Sequence, residues 1–336
     1  MCAAHSKPAI EPQIDALMRR YRGAVPGAGV GVLLDGVPIV RRAYGLADLE
    51  QGVAATTATN YRLASMTKQF TAAAILLLAE AGRLSIDEPI RHWLPTLPHA
   101  ADEIAVRHLL AHTSGLIDFE DVIPDGTTAQ LRDADVLELL EAQDRLYFPP
   151  GTAHRYSNSG YVLLALIVGR AAALDFASFL RERIFRPLGM HNTVAFEAGV
   201  SSVAHRAFGY SAAMDSWRRA DQSLTSATLG DGGIYSCIDD LMKWDAALDD
   251  DRLLQPASLR LAFQPAAMSA DPAVQYGFGW RITGGTRWHS GETTGFRNVI
   301  VRQPERRLSV IVLTNRDDPE PYPTALAIAR AFQNPM

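Results

Sequence analysis

The chain has 336 residues, 48% of them apolar and 21% charged, which supports a substantial buried core and excludes a disordered or fibrous protein. Its 32 basic and 37 acidic residues give a net charge of −5 with no long run of either sign, leaving no electrostatic footprint for nucleic acid. Two cysteines, Cys2 and Cys237, with no CxxC pair exclude a disulfide framework and a zinc ribbon.

The opening MCAAHSKPAI has no apolar h-region, so a cytoplasmic location is expected. The alternative is that Cys2 is the lipidated first residue of a periplasmic or membrane-anchored lipoprotein. Ile10, Ile14, Leu17 and Met18 recur at helical spacing, which predicts a helix over Ile10 to Tyr21. Gly29 to Leu34 and Val37 to Ala43 then flank Asp35-Gly36, the pattern of a β-hairpin. Helices are predicted over Thr67 to Ala81, Val106 to Ala111, Thr128 to Gln143, Gly160 to Ala172 and Phe176 to Ile184. The longest apolar stretches, Ala72 to Ala79 and Tyr161 to Gly169, fall well short of the about 18 to 20 residues that span a bilayer.

Toward the C-terminus, Tyr276 to Thr283, Thr286 to Ser290, Phe296 to Gln303 and Leu308 to Thr314 read as strands, and Thr324 to Phe332 as a closing helix. Strands at both ends with helices between them predict an α/β fold of the α+β type. One antiparallel sheet would be built from both chain ends and flanked by helices, with a helical lobe inserted in it. Residues 1–64 and 265–336 would make the sheet domain and 65–264 the mainly helical lobe, with the ligand cleft between them.

Three short segments carry chemistry. Ser65-Met66-Thr67-Lys68 stands where an apolar helical pattern begins, and positions i and i+3 share a helix face, so Lys68 can aim its amine at the Ser65 hydroxyl. Burial and the positive end of the helix dipole favour a neutral amine and a developing alkoxide, which makes Ser65 a candidate nucleophile and Lys68 its base. Tyr156-Ser157-Asn158 follows the loop Phe148-Pro149-Pro150-Gly151 and precedes an apolar helix. A phenol beside an ammonium can shuttle a proton between Ser65 and a leaving group, and Asn158 offers a donor and an acceptor to an amide-like substrate or to Lys68. The purely structural alternative is an Asn158 N-cap with Tyr156 packed behind it. Third, His289-Ser290-Gly291-Glu292 lies on a strand and its following loop. Gly291 would let a substrate approach the strand backbone, and the Glu292 amide would join the Ser65 amide as an oxyanion hole.

No G-x-S-x-G pentapeptide, no H-E-x-x-H and no complete dinucleotide fingerprint around Gly27 to Gly31 occurs, and no metal or cofactor is implied. In their order, the three segments resemble the serine β-lactamase and penicillin-binding-protein superfamily. The branch most similar contains class C β-lactamases, D-stereospecific peptidases and related esterases, whose second motif is YxN. The run from Leu109 to Leu116, LLAHTSGL, together with Arg186 to Met190 and Gly232 to Ser236, also fits that branch. The resemblance extends from about Gly29 to Asn315.

It implies acylation of Ser65, proton exchange between Lys68 and Tyr156, and substrate contacts from Asn158, His289, Ser290, Gly291 and the Glu292 amide. The implied partner is a small-molecule or short-peptide acyl substrate. Where β-lactamases commonly carry Lys-Thr-Gly or Lys-Ser-Gly, this chain has His289-Ser290-Gly291. A histidine with its ordinary pKa of about 6.5 is largely uncharged at neutral pH and would favour acidic substrates only below that value. This ranks an esterase or D-amino-acid peptidase above a class C-like β-lactamase and above a penicillin-sensing module that does not turn over. The resemblance assigns His112-Thr113-Ser114 to packing and hydrogen bonding. Asp231-Gly232-Gly233 reads as a turn beside the cleft.

Overall fold

A computed structural model describes residues 7–332, so Cys2, on which the lipoprotein alternative rests, lies outside the described residues. Helix α1 (Lys7–Leu17) leads into β1 (Ala28–Leu34) and β2 (Val37–Tyr44), which turn at Asp35-Gly36 as the sequence predicts. An insert follows with α2 (Lys68–Glu80), α3 (Val106–Leu110), α4 (Asp133–Glu141), α5 (Asn158–Ala172), α6 (Phe176–Leu180), α7 (Ile238–Ala247) and α8 (Pro256–Phe263). The chain returns as β3 (Ala267–Met268), β4 (Gln275–Tyr276), β5 (Arg281–Thr283), β6 (Thr286–Thr293), β7 (Phe296–Gln303) and β8 (Leu308–Thr314), and closes with α9 (Tyr322–Ala331).

These strands form one eight-stranded antiparallel sheet in the order β3-β4-β5-β6-β7-β8-β1-β2. The two chain ends meet inside it: β1 pairs with β8 from Ala28 opposite Thr314 to Leu34 opposite Leu308. Alternate valines, Val30 and Val32 on β1, Val299 and Val301 on β7 and Val310 and Val312 on β8, point to one face and are buried with α1 and α9.

The other face meets α7, and here β1 presents Gly29 and Gly31. A Cβ at Gly29 would stand 2.6 Å from the Ile238 side chain, so the glycine is what lets the helix lie on the strand. Helix α7 falls within the segment assigned to the helical lobe, yet it packs on β1, β2 and β8. Periodicity along a chain does not say which surface a helix finds.

Beyond the sheet, α2 and α5 pack together as the spine of the lobe. Both are apolar nearly all round, as helices buried on every side must be. Among the described residues no single helix is long and apolar enough to cross a membrane; α5 and the segment Phe176–Phe185 pass that test only together, bent by 77°.

Two predicted elements are cut short. The strand expected over Tyr276 to Thr283 is interrupted because Gly279 turns at a φ of 75° and passes over the start of α2. A Cβ there would lie 2.8 Å from the Lys68 carbonyl. The helix expected from Thr128 starts only at Asp133, since the Leu131 N–H donates instead to the Leu224 carbonyl.

Candidate active site

Tyr61-Arg62 pairs with Tyr235-Ser236, and the Leu63 N–H donates to the Ile234 carbonyl at 2.8 Å. The chain then turns at Ala64 with a φ of 50°, a left-handed backbone that costs a residue with a Cβ roughly 1 to 2 kcal/mol. Strain of this kind persists where the surroundings over-determine it, often at functional sites. A single 3-10 turn, Ala64–Thr67, carries Ser65 and runs directly into α2 with Lys68 as its first residue.

Lys68 is fully buried, and its Nζ lies 3.0 Å from Ser65 Oγ, 2.8 Å from Asn158 Oδ1 and 3.1 Å from the Asp231 carbonyl. In its neutral form the amine can keep N–H bonds to the last two and turn its lone pair to the Ser65 hydroxyl. The structure thus brings the first and second motifs onto one amine from separate elements. The Tyr156 ring centroid is 4.9 Å from Lys68 Nζ, and its hydroxyl is buried with no hydrogen-bond partner among the described residues. Asn158 opens α5 rather than capping it, and its N–H donates to Asp118 Oδ2 at 2.9 Å.

The third motif occupies β6. The turn between β5 and β6 is Gly284-Gly285, both at positive φ, and it closes on Thr283 opposite Thr286. Hydrogen-bonding direction alternates along an antiparallel strand, so Trp288, Ser290 and Glu292 present their N–H and C=O groups on the β5 edge. β5 pairs no further than Trp288 with Arg281, and the Ser65 turn packs against the remainder of β6. The Glu292 N–H is therefore free of a ladder partner on the side where the Ser65 turn lies.

Gly291 has a packing purpose that its sequence context does not show. The atom that comes close is the chain's own Leu63 carbonyl, 1.9 Å from where a Cβ would stand. Gly291→Ala is expected to push β6 off the Ser65 turn, costing about 1 to 3 kcal/mol of stability by overpacking. A displacement near 1 Å at a reacting group should also lower kcat/KM by about 10²-fold. Thermal melts and ester kinetics on the same preparation check both; a variant with normal stability and turnover would contradict the packing argument.

His289 also departs from the reading of its type. Its side chain is fully buried. The Tyr276 hydroxyl donates to Nε2 at 3.0 Å, so Nδ1 carries the proton and donates to the Ser290 carbonyl at 2.6 Å. Burial, then the nearby Arg281 charge, holds its pKa well below 6.5; the Ser290 bond opposes this and Lys68 adds to it. The expectation that His289 gains charge just below pH 6.5 is thereby overturned. The free cation of this region is Arg281, which carries no such signal in sequence. Its guanidinium carbon is 5.3 Å from the Tyr156 ring centroid, and it pairs with no carboxylate among the described residues.

Two acidic groups near the amine also carry no sequence motif. Asn158 Nδ2 donates to Glu120 Oε1 at 2.9 Å, so the amide bridges Lys68 to an exposed carboxylate. Asp231, 7% exposed, has an Oδ1 with no partner, and burial raises its pKa above 3.8 against the pull of Lys68. Ser290 Oγ donates to Glu292 Oε1 at 3.2 Å.

The beta-lactamase family model matches residues 13–334 of this chain. The chain belongs to the beta-lactamase family. It is a serine hydrolase of that fold, and the relatives it resembles span several activities. It is 30% identical over 326 residues to penicillin-binding protein 4* of Bacillus subtilis, covering 91% of this chain and 71% of that one. It is 29% identical over 334 residues to a D-aminopeptidase of Gluconobacter oxydans, covering 97% of this chain and 62% of that one. The chain thus spans less than two thirds of the length of that D-aminopeptidase. Among solved structures of the family, the D-amino acid amidase of Ochrobactrum anthropi SV3 superimposes with a TM-score of 0.82 at 27% identity, covering 97% and 99% of the two chains.

Proposed function

We propose that this family member hydrolyses the amide bond after a D-residue with a free amino group, in amino-acid amides and short peptides, through an acyl-enzyme on Ser65. Lys68 takes the Ser65 proton as Oγ adds to the carbonyl carbon, and the oxyanion is held by the Ser65 and Glu292 amides. Tyr156 passes a proton to the departing nitrogen. Water then adds to the ester, its proton returning through the same groups, and Ser65 and the free acid are released.

The observation that carries the substrate class is the bridge from Lys68 through Asn158 to Glu120. It stations a carboxylate one side chain away from the reacting centre, and the α-ammonium of an amino-acid amide lies one carbon from the scissile carbonyl. The D configuration is supported by the D-aminopeptidases and the D-amino acid amidase among the relatives. Arg281, whose guanidinium stands by the Tyr156 ring, supports leaving groups that carry a carboxylate.

The test is Glu120→Gln, assayed on D-alanine p-nitroanilide and its N-acetyl derivative. Loss of a charge-assisted bond, about 1.5 to 3 kcal/mol, should lower kcat/KM for the free amine roughly ten- to hundred-fold and leave the acetylated substrate unchanged within about threefold. Although the residue is exposed, the surrounding protein partly desolvates the Glu120 carboxyl and raises its pKa above 4.5; the Asn158 bond and Lys68 oppose this, and Asp118 and Asp231 reinforce it. The carboxylate form exists above that raised pKa, so the preference for the free amine should fade as pH drops through it, and Glu120→Gln should abolish that acid limb. Equal losses on both substrates would defeat the assignment.

A further inference from the structure

We infer that His112 is a positioning residue that holds Tyr156, by its ring and by the N–H groups of both flanking residues, in the orientation needed for proton transfer. The inference rests on the acyl-enzyme reading above.

The LLAHTSGL run supplies no group to Ser65 or Lys68, yet its histidine is 2% exposed and adopts a φ of 57°. That left-handed backbone is uncommon for a residue with a side chain and requires compensating contacts. The contacts converge on Tyr156. The Arg155 N–H donates to the His112 carbonyl at 3.0 Å, and the Ser157 N–H donates to His112 Nδ1 at 3.2 Å. One residue therefore bonds the backbone N–H of each neighbour of Tyr156. The imidazole also lies against the phenol ring, with centroids 4.3 Å apart and planes at 37°. Tyr276 also packs edge-on against the imidazole, with centroids 4.6 Å apart.

The charge state fits the task. Burial, then the Lys68 charge, holds the His112 pKa well below 6.5, with His154, His289 and Arg281 acting in the same direction. A neutral ring whose Nδ1 accepts the Ser157 N–H carries its proton on Nε2, which is buried without a partner among the described residues. No proton path from His112 to Ser65 is needed. What the imidazole does is restrict the phenol, whose hydroxyl has no hydrogen bond of its own to fix it. The adjoining loop is anchored in the same manner: the Gly151 N–H donates to the Thr113 carbonyl at 2.8 Å and the Tyr147 N–H to the Gly115 carbonyl at 2.7 Å. The whole LLAHTSGL corner is thus a template on which the YSN segment is laid.

A double-mutant cycle with Tyr156→Phe tests this on D-alanine p-nitroanilide. His112→Phe keeps an aromatic ring and loses the Nδ1 acceptor. It should lower kcat by roughly ten- to hundred-fold with KM within about twofold, the pattern of misorientation rather than lost binding. Combined with Tyr156→Phe it should add less than about threefold, because the group it positions is already gone. His112→Asn keeps an acceptor near the place of Nδ1, suits the left-handed backbone, and should recover part of the rate; if the phenylalanine variant does not fold, it carries the cycle instead. Fully multiplicative losses in the double mutant, or a drop in melting temperature with kcat unchanged, would overturn the positioning role. If Tyr156→Phe alone leaves turnover intact, the fault lies with the proton-transfer reading itself, which the cycle thereby separates.

Discussion

Ser65→Ala should abolish the covalent adduct with a fluorophosphonate probe and lower hydrolysis by about 10³-fold or more. Ser65 Oγ is the hydroxyl at 3.0 Å from Lys68 Nζ, and its position at the strained Ala64 corner places it beside the free edge of β6. Loss of one oxygen leaves Lys68 bonded to Asn158 and the Asp231 carbonyl, so the variant should fold and melt as the parent does. Intact mass after labelling gives the result directly. The hydroxyl of Ser157 is also buried nearby without a partner, and a label that persists in Ser65→Ala would move the nucleophile to a serine of that kind.

Tyr156→Phe should separate activity from stability. If the phenol carries the proton between Ser65 and the leaving nitrogen, turnover of an anilide should fall by about 10² to 10⁴. The hydroxyl being removed is buried and makes no hydrogen bond among the described residues, and such a group costs stability rather than adding it. The variant should therefore melt at the parent temperature or above it while its kcat collapses. A variant that melts lower and turns over normally would show the reverse, a structural hydroxyl with no part in proton transfer.

Much of the site could be read along the chain because its chemistry sits at local spacings. Ser65 and Lys68 lie one helical turn apart, and the Lys68 to Ser65 contact needs only that helix to form. The hairpin of β1 and β2 and the strands β6 to β8 were visible for the same reason, since alternation and turn residues are short-range signals. The third motif shows where such reading stops. Gly291 stood out as a place of close approach, but the approaching atom is the Leu63 carbonyl, more than two hundred positions earlier in the chain. His289 stood out as a titratable group, but the depth of its burial and the Arg281 charge beside it come from strands folded around it.

The sequence by itself determined the residue types of the reaction, the order of the elements and the two-ended sheet, because each depends on periodicities of two to four residues. Only the tertiary structure decided how the groups around Lys68 are joined. Asn158 and Asp231 reach it from positions 90 and 163 residues away, and Glu120 joins through Asn158. It likewise decided that Gly29 and Gly31 are a seat for α7, and that His112 brackets Tyr156. Burial, electrostatic environment and close packing are properties of the space between elements, and a linear pattern holds no record of which elements will share that space.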